Sequence, residues 1–122
     1  WIAHNEAEKT LAQSLAKDDQ VIMPRDPMEY FSATNRGTVS LCNRLHASVA
    51  LAGMGIPGVA IGTDTRLLMV ENLGQHALYV KDACDADYLY QKTMDCIVNR
   101  NTKRENLLKL SRDTLAVYAD YI

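Results

Sequence analysis

Several kinds of chemistry are missing from this chain. Its six glycines form neither a G-x-G-x-x-G fingerprint nor a Walker loop, which argues against a dinucleotide or P-loop role. No H-x-x-x-H, H-x-x-E or cluster of carboxylates occurs, so neither a metal site nor a cofactor is expected. The cysteines, Cys42, Cys84 and Cys96, are odd in number and lack C-x-x-C spacing. That points to free thiols in a reducing compartment. A surplus of one charge is missing too: the net charge is −2, which argues against a broad polyanion-binding surface and against nucleic acid as a partner. No apolar run approaches the roughly 20 residues that span a bilayer. With no basic segment before a short apolar run, no signal peptide is expected. Internal repeats and low-complexity segments are absent.

What remains is an ordinary globular composition, 48% hydrophobic and 23% charged, over 122 residues. That is enough for one domain with a real core. The opening Trp1-Ile2-Ala3-His4-Asn5 reads as a strand already under way, as expected of a fragment of a longer protein.

The chain is organised around Thr38 to Asp64. A short β-type run, Thr38 to Leu41, turns polar at Cys42-Asn43-Arg44. A nearly all-apolar helix follows from Leu45 to Met54, then a Gly55-Ile56-Pro57 break, then a second apolar run closed by Gly62-Thr63-Asp64. Strand, buried helix and strand in this order form a right-handed βαβ unit.

Around it, Trp1 to Ala3 and Gln20 to Met23 read as strands. Asn5 caps a helix with Glu6 and Glu8 in its first turn, and Asp26-Pro27 opens a short helix from Met28 to Thr34. Asp64 opens a helix over Thr65 to Leu73 that Gly74 ends. His76 to Val80 is a strand, Asp82 to Asp85 a loop, and Ala86 to Asn99 a helix. Arg100 to Lys103 is a polar break before a last helix, Arg104 to Tyr121, with Leu107, Leu108, Leu110, Leu115, Val117 and Tyr118 as its core stripe. The alternation predicts an α/β fold: a Rossmann-like parallel sheet with helices on both faces.

In open sheets of this kind ligands bind outside the carboxyl ends of the strands. Arg44 and His46 fall there, at the strand-to-helix joint. With Asn43 as the helix cap they lie in a first turn whose N–H groups favour anions. A guanidinium offers two-pronged binding to phosphate or carboxylate, and an imidazole can give or take a proton near neutral pH. Residues two apart do not share a helix face, so joint action needs the distorted geometry of a first turn. The alternative is structural: Arg44 in a salt bridge, His46 at a core edge. His4, Asn5 and Glu8 offer a second possible edge of a cleft, or simply a turn with a helix cap. His76 reads as surface, at the opposite end of the sheet.

The run Arg44-Leu45-His46-Ala47, the apolar helix, Gly55-Ile56-Pro57, the strand and Asp64-x-Arg66 resembles the C-terminal domain of the polysaccharide pyruvyl transferase family. The likeness covers Ser40 to Gly74. Two departures stand out: Cys42 takes a small-residue position, and Thr63-Asp64-Thr65-Arg66 replaces the tyrosine and lysine that often follow the strand. The resemblance implies the C-terminal half of a two-domain, glycosyltransferase-B-type enzyme with its cleft between the domains. It also implies that an N-terminal domain and the first part of the sheet lie outside this chain, which by itself would be inactive. Such enzymes move the enolpyruvyl group of phosphoenolpyruvate, a donor substrate rather than a cofactor, onto a sugar hydroxyl of a glycan or lipid-linked acceptor. Carried over, His46 is the general acid, while Arg44 and Arg66 hold phosphate or carboxylate, with Asn43 and His4 as further substrate contacts. The donor implies a cytoplasmic setting, at the inner face of a bacterial membrane, in the assembly of exopolysaccharide or another surface glycan. Two other readings stay open: the C-terminal domain of a nucleotide-sugar glycosyltransferase, with Asp64 or Glu71 contacting the nucleoside, and a non-catalytic binding module.

Overall fold

The computed structural model describes residues 1–119 and 121. Their contacts divide the chain into two compact units, Trp1–Arg36 and Gly37–Ile122.

In the first unit, helices α1 (Glu6–Leu15) and α2 (Pro27–Thr34) start in the same way. Asn5 Oδ1 accepts the Glu8 N–H at 2.9 Å, and a Glu8 carboxylate oxygen accepts the His4 N–H at 2.9 Å. Asp26, Glu29 and Arg25 repeat the arrangement at 2.8 and 2.9 Å. Each pair satisfies donors that the first turn leaves without partners. The two expected strands contract to one parallel bridge, Ile2 to Ile22, with Ala3 N–H to Ile22 O at 2.8 Å and Ile22 N–H to Trp1 O at 2.9 Å. Ala3, Ala12 and Ala16 are the buried apolar residues of this unit.

The second unit carries the sheet. Strands β1 (Ser40–Cys42), β2 (Gly58–Gly62) and β3 (His76–Tyr79) pair in parallel in the order β1-β2-β3. Helix α3 (Leu45–Gly53) connects the first two strands, and a 3-10 helix (Thr65–Leu73) connects the last two. Gly74 ends that helix in the left-handed region, at φ +80°, where a side chain is disfavoured. Helices α4 (Val80–Ala83), α5 (Ala86–Val98) and α6 (Arg100–Ala119) follow.

Alternation along β2 divides the core. Val59, with Ile61 beside it, packs on one face with Leu78, Cys96, Ala83 and Leu89, and so under α4 and α5. Ala60 faces the other way, against Leu67, Val70, Leu45, Cys42 and Ala77, under α3 and the 3-10 helix. Both faces are covered, as the near-continuous apolar run of a parallel strand requires. The arrangement is α/β and fits a Rossmann-like pattern.

Three local expectations give way. The Asp82 to Asp85 loop begins instead inside α4, and Asp85 caps α5 by accepting the Tyr88 N–H at 3.1 Å. The polar stretch from Arg100 to Lys103 is not a break: α6 starts at Arg100 after a single turn residue, Asn99. Lys103 Nζ meets Asp95 on α5 at 2.9 Å, and the next residue, Arg104, donates from Nη1 to the Gly55 carbonyl at 3.3 Å. The expected core stripe of α6 narrows as well. Leu107 is buried, whereas Leu115, Val117 and Tyr118 are each more than half exposed, because nothing among the described residues covers that end of the helix.

Candidate functional site

Parallel strands present their carboxyl ends at one edge. Cys42 ends β1 and Gly62 ends β2, so the turns Asn43-Arg44 and Thr63-Asp64 leave the sheet side by side. The candidate site is this edge.

The first turn differs from expectation in one respect. Arg44, not Asn43, is the cap of α3, on extended backbone at φ −123° and ψ 127°, and its side chain makes no capping hydrogen bond. Asn43 lies outside the helix and is exposed. His46 is the second helical residue. Because Arg44 precedes the helical geometry, the opposed directions of residues two apart in a helix do not govern this pair. Both side chains are exposed, and the His46 imidazole has no hydrogen-bond or ionic partner among the described residues.

Behind the turn, Cys42 packs against the core face under α3. Burial pushes its thiol up, and hydrogen bonds involving the Ser48 hydroxyl and the Arg44 backbone act in the opposite direction. Ser48 is itself buried. The small thiol thus links the end of β1 to the start of α3.

At the second turn, Asp64 and Arg66 are joined. Asp64 Oδ1 accepts the Arg66 N–H at 2.7 Å and so caps the 3-10 helix. Asp64 Oδ2 accepts both Nε and Nη2 of the same guanidinium, at 2.9 and 2.5 Å. These hydrogen bonds hold the Asp64 carboxyl below its ordinary range and push the guanidinium higher still. Arg66 therefore has a fixed direction although its side chain is 77% exposed.

His4 belongs to the first unit, where its backbone N–H serves the start of α1 and its side chain is exposed.

His76 departs from the surface reading. Its Nε2 lies 2.7 Å from Asp95, which also meets Lys103 at 2.9 Å and Asn99 at 2.7 Å. Lys103, His76 and Asn99 together hold the Asp95 carboxyl well below the usual carboxylate range. One ligand atom each from His76, Asp95 and Cys96 lies within 4.8 Å of the others, a grouping that linear motifs do not register. The Lys103 ammonium already occupies the cation's place on Asp95, and burial raises the Cys96 thiol. Asp95 is thus engaged from within the protein by Lys103, His76 and Asn99. It anchors the start of β3 to α5 and α6.

Comparison with family models, with curated proteins and with solved structures finds no match to this chain. No helix among the described residues is long and apolar enough to cross a membrane.

Proposed function

We propose that this chain is the donor-binding half of a pyruvyl transferase, acting on phosphoenolpyruvate and a sugar acceptor. The observation that carries the reading is the exposed Arg44–His46 joint at the carboxyl end of a parallel sheet, beside the turn that presents Arg66.

Phosphoenolpyruvate carries a phosphate, a carboxylate and an enol carbon that must gain a proton. Arg44 and Arg66 match the two anions, for which a guanidinium fork is the best-suited side chain. His46, exposed and without a partner among the described residues, is available to protonate the methylene carbon. The adjacent carbon becomes electrophilic and is attacked by a sugar hydroxyl, which loses its proton. Phosphate then departs with the electron pair of its C–O bond, a second hydroxyl of the same sugar takes its place, and the proton count balances with release of a cyclic ketal and inorganic phosphate. In this reading an N-terminal domain supplies the other wall of the cleft and the acceptor contacts. The glycosyltransferase-B-type build and a cytoplasmic setting follow from the same proposal.

The test uses the whole protein that carries this chain. Phosphate release from phosphoenolpyruvate is followed with a panel of sugar acceptors, for wild type and His46→Ala. Acceptor-dependent release that falls by about a hundred-fold or more in the variant supports the assignment. Release that survives the substitution removes His46 from the chemistry. No release with any acceptor, together with binding of a nucleotide sugar, replaces this reading with glycosyl transfer.

A further inference from the structure

We infer that Asp64 is a positioning residue, which holds the Arg66 guanidinium with one edge fixed and the other presented to the substrate anion. The inference rests on the pyruvyl-transfer reading for the identity of that anion.

A guanidinium has two edges that can each engage an oxyanion, Nε with Nη2 and Nη1 with Nη2. Asp64 Oδ2 takes the first edge at 2.9 and 2.5 Å. Apart from the Nη2 hydrogen that Asp64 takes, the Nη1/Nη2 edge has no partner among the described residues, and its two parallel outer N–H groups match a carboxylate or phosphate. The direction of that edge follows from planarity: once the Nε side is held, the outer edge is no longer free to turn.

Asp64 is itself anchored. Its other oxygen accepts the Arg66 backbone N–H at 2.7 Å, its backbone is extended at φ −122°, and the turn it occupies leaves β2 directly. The strand thus orients the carboxylate, and the carboxylate orients the guanidinium. A long exposed arginine otherwise loses several rotatable bonds on binding an anion. Asp64 incurs that loss in advance. Its own negative charge lies on the far side of the guanidinium in an exposed turn, where solvent and salt screen its repulsion of the substrate.

Asparagine caps a helix about as well as aspartate but has one acceptor oxygen; with that oxygen on the Arg66 backbone N–H, its NH2 faces the guanidinium and cannot accept from it. Asp64→Asn therefore separates the cap from the clamp. In the whole protein, the variant is expected to keep the wild-type melting temperature and kcat. It should raise KM for phosphoenolpyruvate about five-fold, since an exposed pair of this kind carries modest energy. Arg66→Ala should raise KM about ten-fold or more. The double variant should match Arg66→Ala alone, because Asp64 acts only through Arg66. The same four proteins are titrated calorimetrically with phosphoenolpyruvate and with inorganic phosphate.

An unchanged or lowered KM in Asp64→Asn, or losses that add in the double variant, overturns the positioning role and leaves the pyruvyl-transfer reading standing. Anion binding that depends on both residues without acceptor-dependent phosphate release supports positioning while removing the reaction. Binding of neither anion overturns the positioning role.

Discussion

Gln75 bridges the two ends of the segment that starts β2. Its Nε2 donates to the Ile56 carbonyl at 3.0 Å, and its Oε1 accepts the Gly58 N–H. Pro57, between them, has no N–H of its own, and all four residues are buried. One side-chain amide thus satisfies a donor and an acceptor where the chain enters the sheet.

Replacing Gln75 by Ala leaves that carbonyl and N–H buried without partners. The expected loss is about 3 kcal/mol, read by urea unfolding at pH 7. Gln75→Glu should recover part of it only if the acid is protonated, since a carboxylate accepts from Gly58 but cannot donate to Ile56.

Gly58 admits no side chain. A Cβ there would lie 2.0 Å from Ser40 Oγ and 2.4 Å from the Ser40 carbonyl oxygen. Gly58→Ala should cost about 3 kcal/mol or prevent folding, and adding Ser40→Ala should not restore it, because the clash with the backbone remains. Ser40→Ala alone should be neutral or slightly stabilising, since its buried hydroxyl lacks a hydrogen-bond partner among the described residues. Paired thermal melts of the three variants decide this.

The Asp95 cluster sets an acid dependence. Lys103, His76 and Asn99 lower the carboxyl pKa in the folded protein, so Asp95 stabilises the fold fully above its unfolded pKa near 4. The contribution disappears as pH falls through that value toward the lower folded one. Asp95→Asn should therefore cost about 1 kcal/mol at pH 7, a figure reduced for solvent exposure, and progressively less below pH 4. Unfolding titrations of wild type and variant across pH 2–7 give the difference directly; a gap that does not close in acid contradicts the ion-pair account.

Along α6, burial predicts a gradient. Leu107 is 3% exposed and Leu115 65%. Leu107→Ala should cost about 3 kcal/mol, and Leu115→Ala within about 0.5 kcal/mol. Equal losses by chemical unfolding would mean that the far end of the helix is covered in solution.

Much of the second unit was legible in residue order. The apolar runs on either side of Gly55-Ile56-Pro57, the Asp64 cap and the Gly74 terminator are local signals, and each acts within a few residues of itself. The polar stretch at Arg100 misled because charged residues read as a break when their partners are unknown. Lys103 and Arg104 are helical here, with partners on α5 and at the end of α3. The α6 stripe misled for the opposite reason: apolar spacing marks a face, but only a neighbour makes it a core. At the candidate site, the positions of Arg44, His46 and Arg66 at one sheet edge follow from the βαβ order. The displacement of the cap from Asn43 to Arg44 does not, because cap residues are decided by the last extended φ and ψ, not by side-chain preference alone.

The sequence by itself determined the parallel α/β alternation and the residues at its strand ends, since both arise from periodicity and from turn chemistry within short windows. Only the tertiary structure decided what those residues meet. Gln75 reaches back seventeen and nineteen positions to Gly58 and Ile56, and His76 reaches forward nineteen to Asp95. Contacts at such separations depend on how strands and helices stack, and no local propensity encodes them.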